Sequence, residues 1–294
     1  FLYSLLSRDN KRRFQKDRYV SYSRFRDLWI DKYSKSPNAD VRELSPELAW
    51  HVIRTYIKGM RHDSEAYFDL ESYSIELPRD QKTVTEASFS LIYSLCDSYY
   101  RELCEVQGYW DDQDLTWSVL SPDEIDLSKY PVVYCDESQD FTHLELNLIH
   151  QLNLFSKRRV QSYLLGLVPF AFAGDPFQTL NPTGFNWDAT QANFHNMIIR
   201  QMELDETINL EFNFYELGYN YRSTTSIVNF CNLIQLLRGI AFNIKRLIPQ
   251  KSWFTGQSSL PVYFENEDLN GQTLIQEQKE IVIIVPCQEG EEYA

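Results

Sequence analysis

Residues 130–140 read Tyr-Pro-Val-Val-Tyr-Cys-Asp-Glu-Ser-Gln-Asp, an apolar run that stops abruptly at paired acids. Val132, Val133, Tyr134 and Cys135 predict a strand buried on both faces, as in a parallel sheet, because no polar residue alternates with the apolar ones. Asp136 and Glu137 then stand at the carboxyl end of that strand, the edge at which open α/β sheets bind ligands. A carboxylate there suits a magnesium ion, which takes hard oxygen ligands. Thr142 and Glu145 follow at capping-box spacing, and Leu144, Leu148, Ile149, Leu152 and Phe155 mark the inner face of the next helix.

Toward the C-terminus, residues 168–173 form a second short apolar run ending in Gly174-Asp175. A third candidate strand at about 209–217 precedes Asn220-Tyr221-Arg222-Ser223, and a helix follows with Ile227, Phe230, Cys231, Ile234 and Leu237 on one face, closed by Gly239. Residues 281–285 are a further buried-type strand. Strands alternating with helices imply an α/β fold with a parallel sheet.

Toward the N-terminus the first 125 or so residues read as mainly helical. Ser45 before Pro46 is a helix start, a hydroxyl cap and then proline at the first helical position. Leu48, Val52, Tyr56 and Ile57 line one face of that helix, and Gly59 suits its end. A longer helix is expected over about 84–107, with Phe89, Ile92, Cys96, Tyr99 and Leu103 on one stripe and Gly108 as terminator. The acidic stretch Trp110-Asp111-Asp112-Gln113-Asp114-Leu115 reads as a loop with one anchoring Trp.

With 294 residues the chain has room for two domains or subdomains. A net charge of −14 argues against a surface that coats nucleic acid generally. It leaves open a local groove at Arg12, Arg13, Lys16 and Arg18 or at Lys157, Arg158 and Arg159, either of which is otherwise a solvated face. The five cysteines are odd in number and never in C-x-x-C spacing, so free buried thiols in a reducing cytoplasm are expected rather than zinc or disulfides. No apolar run reaches bilayer-spanning length, and the apolar and basic parts of the N-terminal segment are in the wrong order for a secretory signal. The chain opens on Phe1, which suggests a piece of a longer protein.

Each motif has a plain structural explanation when taken alone. Asp136 and Glu137 could simply cap the next helix; Gly174-Asp175-Pro176-Phe177-Gln178 could be a tight turn; Asn220-Tyr221-Arg222-Ser223 could start a helix. Their chemical alternatives are specific. Asp136 can hold Mg²⁺ and Glu137 can deprotonate a water that attacks a γ-phosphate. Gln178 can hydrogen-bond the γ-phosphate, Tyr221 can stack on a base, and Arg222 can stabilise charge on a transferring phosphoryl group. Phe185 and Trp187 suit stacking on single-stranded bases as well as they suit plugging a core.

In that order the three motifs resemble the UvrD/Rep-like branch of superfamily 1 helicases. Residues 136–140 look like motif II, 173–178 like motif III and 220–223 like motif IV, while 110–115 is similar to the acidic Tyr-Asp-Phe-x-Asp-Leu element ahead of motif II. The match covers about 108–230. It implies an ATP-driven motor with RecA-like lobes that translocates on single-stranded DNA rather than RNA. By the same resemblance Asp136 is the Mg²⁺ ligand, Glu137 the catalytic base, Gln178 the γ-phosphate sensor, Tyr221 the adenine-stacking ring and Arg222 a γ-phosphate contact. Asp175 lines the nucleotide site, and Phe185 and Trp187 stand in for the base-stacking aromatic of motif III.

The implied domains are a helical insertion over 1–125, a RecA-like core of the first lobe over 126–240, and a linker with the start of a second lobe over 241–294. One part is missing from the sequence: none of the ten glycines is followed by Lys, so there is no phosphate-binding Gly-Lys-Ser/Thr loop. The expectation is a central fragment whose phosphate loop and later motifs lie elsewhere in its parent, so that this piece alone is inactive. The rival is a degenerate helicase-like module that binds nucleic acid or a partner protein and never hydrolyses ATP.

Overall fold

The computed structural model describes residues 1–61, 67–120, 130–152, 170–175, 215–242 and 248–254. Contacts divide the chain into two units, Phe1–Glu211 with Gln288–Ala294, and Phe212–Cys287.

The first unit is built on helices whose ends follow their sequence signals. Ser45 accepts the Leu48 amide, Pro46 occupies the first turn, and the helix Pro46–Val52 continues as a widened π-helical segment, Ile53–Lys58. The expected 84–107 helix is also one continuous rod with a widened middle. Thr85 caps Glu86–Leu95, a π-helical segment Cys96–Tyr100 follows, and Arg101–Glu105 completes it. Gly108, at φ 74°, turns the chain out of it.

Between these rods and the helix Tyr22–Tyr33 lies an aromatic core. Phe25, Trp29, Val52, Ile53, Tyr56, Ile57, Tyr73, Phe89, Ile92 and Tyr100 are all essentially excluded from solvent. Each such side chain contributes roughly 1.5–3 kcal/mol by leaving water. Tyr73 stacks on Phe89 with ring centroids 4.1 Å apart. A smaller cluster joins Leu5, Leu6, Phe14, Trp110, Leu115 and Val119 to Leu148 and Leu152.

Strand β1, Val133–Cys135, pairs in parallel with β2, Phe170–Phe172. The helix His143–Gln151 follows β1 and opens with the expected capping box, Thr142 and Glu145 each bonding the other's backbone amide. One expectation fails: β1 is not buried on both faces. Cys135 is buried, but Val132 is 42% and Tyr134 79% exposed, so the strand alternates. Among the described residues nothing covers the Tyr134 face. Cys96, Cys104 and Cys135 are buried free thiols, as expected, whereas Cys231 is exposed.

In the second unit the segment Asn220-Tyr221-Arg222-Ser223 is itself a strand, and most of the candidate strand at about 209–217 lies outside the described residues. Strand β3, Tyr219–Thr224, pairs in parallel with β4, Lys251–Phe254, with an irregularity between Asn220 and Thr224. The Asn220 side chain accepts the amides of Arg222 and Ser223, which diverts them from the ladder. The helix Thr225–Phe242 runs past Gly239. A mid-helix glycine costs only about 1 kcal/mol and does not by itself end a helix. Its predicted inner face is open: Val228 is buried, but Ile227, Phe230, Ile234 and Leu237 are 43–57% exposed. The strand expected at 281–285 lies outside the described residues. No helix of the described residues is long and apolar enough to cross a membrane.

One buried and one half-buried imidazole couple this fold to pH. Burial holds His51 down at about 4 and His150, which packs edge-on against Phe172 at 5.3 Å, down at about 3. An unfolded chain protonates both near pH 6.5, so stability is full above that pH and is lost as pH falls below it. At pH 5 each histidine costs about 2 kcal/mol, and a His150→Leu variant is expected to remove about half of the pH 7-to-5 drop in urea midpoint.

Candidate functional site

The acid-ended strand delivers its carboxylates to a shared edge. β1 and β2 pair Val133 with Phe170, Tyr134 with Ala171 and Cys135 with Phe172. The ladder outlasts the strands, since the Ala173 amide donates to the Cys135 carbonyl at 2.8 Å and the Ser138 amide to the Ala173 carbonyl at 2.9 Å. Because the strands are parallel, Asp136-Glu137 and Gly174-Asp175 leave the sheet at the same carboxyl edge, where such sheets bind ligands.

Glu137 sits at φ 51°, ψ 41°, the one non-glycine residue with positive φ among those described. That conformation costs roughly 1–2 kcal/mol for a residue with a Cβ. It breaks the chain sharply away from the strand into the single 3₁₀ turn Ser138–Asp140. The Glu137 amide donates to Asp136 Oδ1 at 2.9 Å, and both carboxylates face solvent.

Gln139 ties the two strand ends together. It is 1% exposed, donates Nε2 to Glu137 Oε2 at 2.7 Å and accepts the Asp175 amide on Oε1 at 3.0 Å. Gly174 makes room for this link: a Cβ there would stand 2.5 Å from Gln139 Oε1 and 3.2 Å from the Ser138 nitrogen. Gln139 had no role in the sequence reading. Its signal is its place among residues 136–140, just past an acid-ended strand, and nothing in that pattern says whether the amide faces inward.

The other sequence candidates divide. Gln178, Phe185 and Trp187 lie outside the described residues. Tyr221 and Arg222 stand on β3 in the second unit, both exposed. The Tyr221 ring is 60% exposed and lies 5.2 Å from Trp253 on β4, with Tyr219 5.9 Å from the same indole. The structure thus brings together Asp136, Glu137 and Asp175, and separately Tyr221 and Arg222.

The acidic stretch 110–115 is no loop with a single anchor. It opens the helix Asp112–Leu120, and two of its three carboxylates, those of Asp111 and Asp114, are buried on a lysine. Lys58 Nζ lies 2.7 Å from both Asp111 Oδ2 and Asp114 Oδ2 and 3.5 Å from Cys104 Sγ. Tyr100 donates its hydroxyl to Asp111 Oδ2 at 2.9 Å, and the amides of Gln113 and Asp114 donate to Oδ1. Burial disfavours the Lys58 ammonium, but the two carboxylates outweigh it and hold Lys58 well above the ordinary lysine range. Burial likewise opposes ionisation of Asp111, and Lys58 outweighs it, so Asp111 lies below the usual range. Asp114 is pushed up, by burial first and then by the charge of Asp111. Cys104, Asp111 and Asp114 are close enough to ligate a metal, but Lys58 already supplies the cation at their centre.

This network reaches the candidate site through one neighbour. Gln113 donates to Glu145 Oε1 at 2.8 Å and accepts the Thr142 hydroxyl at 2.9 Å, and Arg54 pairs with the same glutamate at 3.2 Å. The cap of the helix that follows Asp136 and Glu137 is therefore held by the buried ionic core. No protein-family model matches the chain, and no curated protein matches it either.

Two substitutions test this framework by equilibrium denaturation. Lys58→Met leaves two buried carboxylates facing each other and is expected to cost about 3–5 kcal/mol. Gly174→Ala must displace Gln139 and is expected to cost about 1–3 kcal/mol.

Proposed function

We propose that this chain is part of an ATP-driven motor of superfamily 1 type, acting on single-stranded DNA in a reducing, cytoplasmic compartment. The observation that carries this reading is the shared carboxyl edge at which Asp136-Glu137 and Gly174-Asp175 are tied by Gln139. A retired site has no chemical reason to keep a strained glutamate beside an aspartate. On this reading the strands belong to a RecA-like sheet.

The carboxylates at the shared edge suit a hydrated magnesium ion. Asp136 is exposed, with one oxygen on the Glu137 amide, so it would hold Mg²⁺ directly or through water. The ion, when bound, would neutralise charge on the phosphates. Glu137 would accept a proton from the attacking water, and Gln139 Nε2 fixes the orientation of the carboxylate. Gln139 is thus a positioning residue. Tyr221, exposed beside Trp253, would take the adenine ring, and Arg222 would meet phosphate charge; Gln178 would sense the γ-phosphate, and Phe185 and Trp187 would stack on DNA bases.

A second reading is a helicase-like module that binds nucleic acid or a partner protein without turnover. The sequence carries no Gly-Lys-Ser/Thr loop, which favours it.

ATPase assays separate the two. The chain alone is expected to hydrolyse ATP only at background rate. Supplying a phosphate loop by joining the flanking sequence of its open reading frame is expected to raise turnover, and Glu137→Gln to lower that turnover by about 10²-fold or more. Turnover that Glu137→Gln leaves intact would sink the motor reading, and no turnover in the extended chain would favour the module.

A further inference from the structure

The buried ionic core holds a reactive pair that the motor reading does not use. Lys58 and Asp114 are 56 residues apart in the chain, yet Lys58 Nζ lies 2.7 Å from Asp114 Oδ2, one bond from the carboxyl carbon. Asp111 Oδ2 lies 2.7 Å from the same nitrogen. All three side chains are buried, as are Tyr100 and Cys104 around them. An amine, a carboxyl group and a second carboxylate touching the amine, shut away from water, are what amide condensation needs.

Positioning and burial both favour a covalent bond over the ion pair. Lys58 ends the widened segment Ile53–Lys58, and Asp111 and Asp114 lie at the start of the helix Asp112–Leu120. The Tyr100 ring centroid lies 4.8 Å from Lys58 Nζ, so a ring and two carboxylates hold the nitrogen in place. Groups oriented this well reach effective concentrations of about 10⁵–10⁸ M, while the water that would hydrolyse the product is excluded. Burial adds a drive of its own, because an amide replaces charges that are costly to keep in a low-dielectric interior.

We propose that Lys58 and Asp114 condense into an intramolecular isopeptide bond, with Asp111 as the proton carrier. Asp111 suits that role because the Tyr100 hydroxyl and the amides of Gln113 and Asp114 fix its carboxylate. Asp114 is the electrophile, since burial and then the charge of Asp111 push it toward its neutral acid form. Asp111 takes one proton from the Lys58 ammonium, which frees the nitrogen lone pair. That pair forms the C–N bond to Asp114 Cγ. A second proton passes from the nitrogen to the Asp114 hydroxyl, the C–O bond breaks, and water leaves. The products are a neutral amide, a neutral Asp111 carboxyl and one water, so charge balances and no oxidant is consumed. Asp114 and Cys104 also line an open cleft of about 540 Å³, shared with Arg13, Arg61 and Arg101, which gives the water a way out. Burial works against the ammonium, yet the two carboxylates hold Lys58 well above the ordinary lysine range. Free amine is therefore rare, and the bond forms slowly after folding. The proposal does not rest on the motor reading, because neither Asp136 nor Glu137 takes part in these contacts.

Intact-mass spectrometry of the 294-residue chain, denatured at intervals over days after purification, follows the reaction. The expected result is a growing species lighter than the sequence mass by one water. Trypsin is expected to leave Lys58 uncleaved and joined to the peptide that carries Asp114. Lys58→Arg keeps the cation without the reactive amine, and Asp114→Ala removes the electrophile; both are expected to abolish the water loss. Asp111→Asn is expected to slow it by about 10²-fold or more. A parent chain that melts cooperatively yet stays at its full sequence mass overturns the proposal, and this measurement needs no variant to fold. Water loss that maps to another pair of residues, or that persists in Lys58→Arg, overturns it as well. An unchanged rate in Asp111→Asn overturns the role given to Asp111.

Discussion

Lys58, buried between Asp111 and Asp114, is the interaction on which the first unit depends. Three charges withdrawn from water are tolerable only when every lone pair and proton finds a partner, and here nearly every partner is supplied by a different element. Lys58 and Tyr100 come from the two widened helical segments, the carboxylates from the start of the Asp112–Leu120 helix, and Gln113 hands the network on to Glu145 and Thr142. A π-helical segment shifts the phase of the residues that follow it, and both are used here to aim a polar side chain into an aromatic core. The arrangement specifies one register of helix against helix, because any other would strand a charge.

The same core braces two surfaces of different chemistry. On one, the capping box at Thr142 fixes the helix that leaves the Asp136-Glu137 turn, and Gln139 locks that turn to the end of β2. On the other, Asp114 and Cys104 line a cleft together with guanidiniums and aromatic rings. Strain at Glu137 is maintained by the ladder that continues through Ala173, not by its own preference.

Much of the local structure was legible in the chain. Ser45-Pro46 and the Thr142/Glu145 pair are short-range signals whose chemistry is complete within four residues, and both helices begin where they say. The acid-ended strand was readable for the same reason. The exposure of Tyr134 was not, because an apolar run does not reveal which of its faces another element covers. Gly239 was misread because a glycine marks a helix end only when the chain turns there.

The sequence by itself determined the helix starts, the strand that carries Asp136 and Glu137, and the absence of a phosphate loop between its ends, because these depend on neighbouring residues alone. Tertiary structure alone decided that Asp111 and Asp114 belong to a buried ionic core, that Gln139 joins two motifs, and that Arg13, Arg61 and Arg101 share one cleft. The physical reason is separation along the chain: Lys58 meets Asp114 across 56 residues and Gln139 meets Asp175 across 36, and no local periodicity encodes such a meeting.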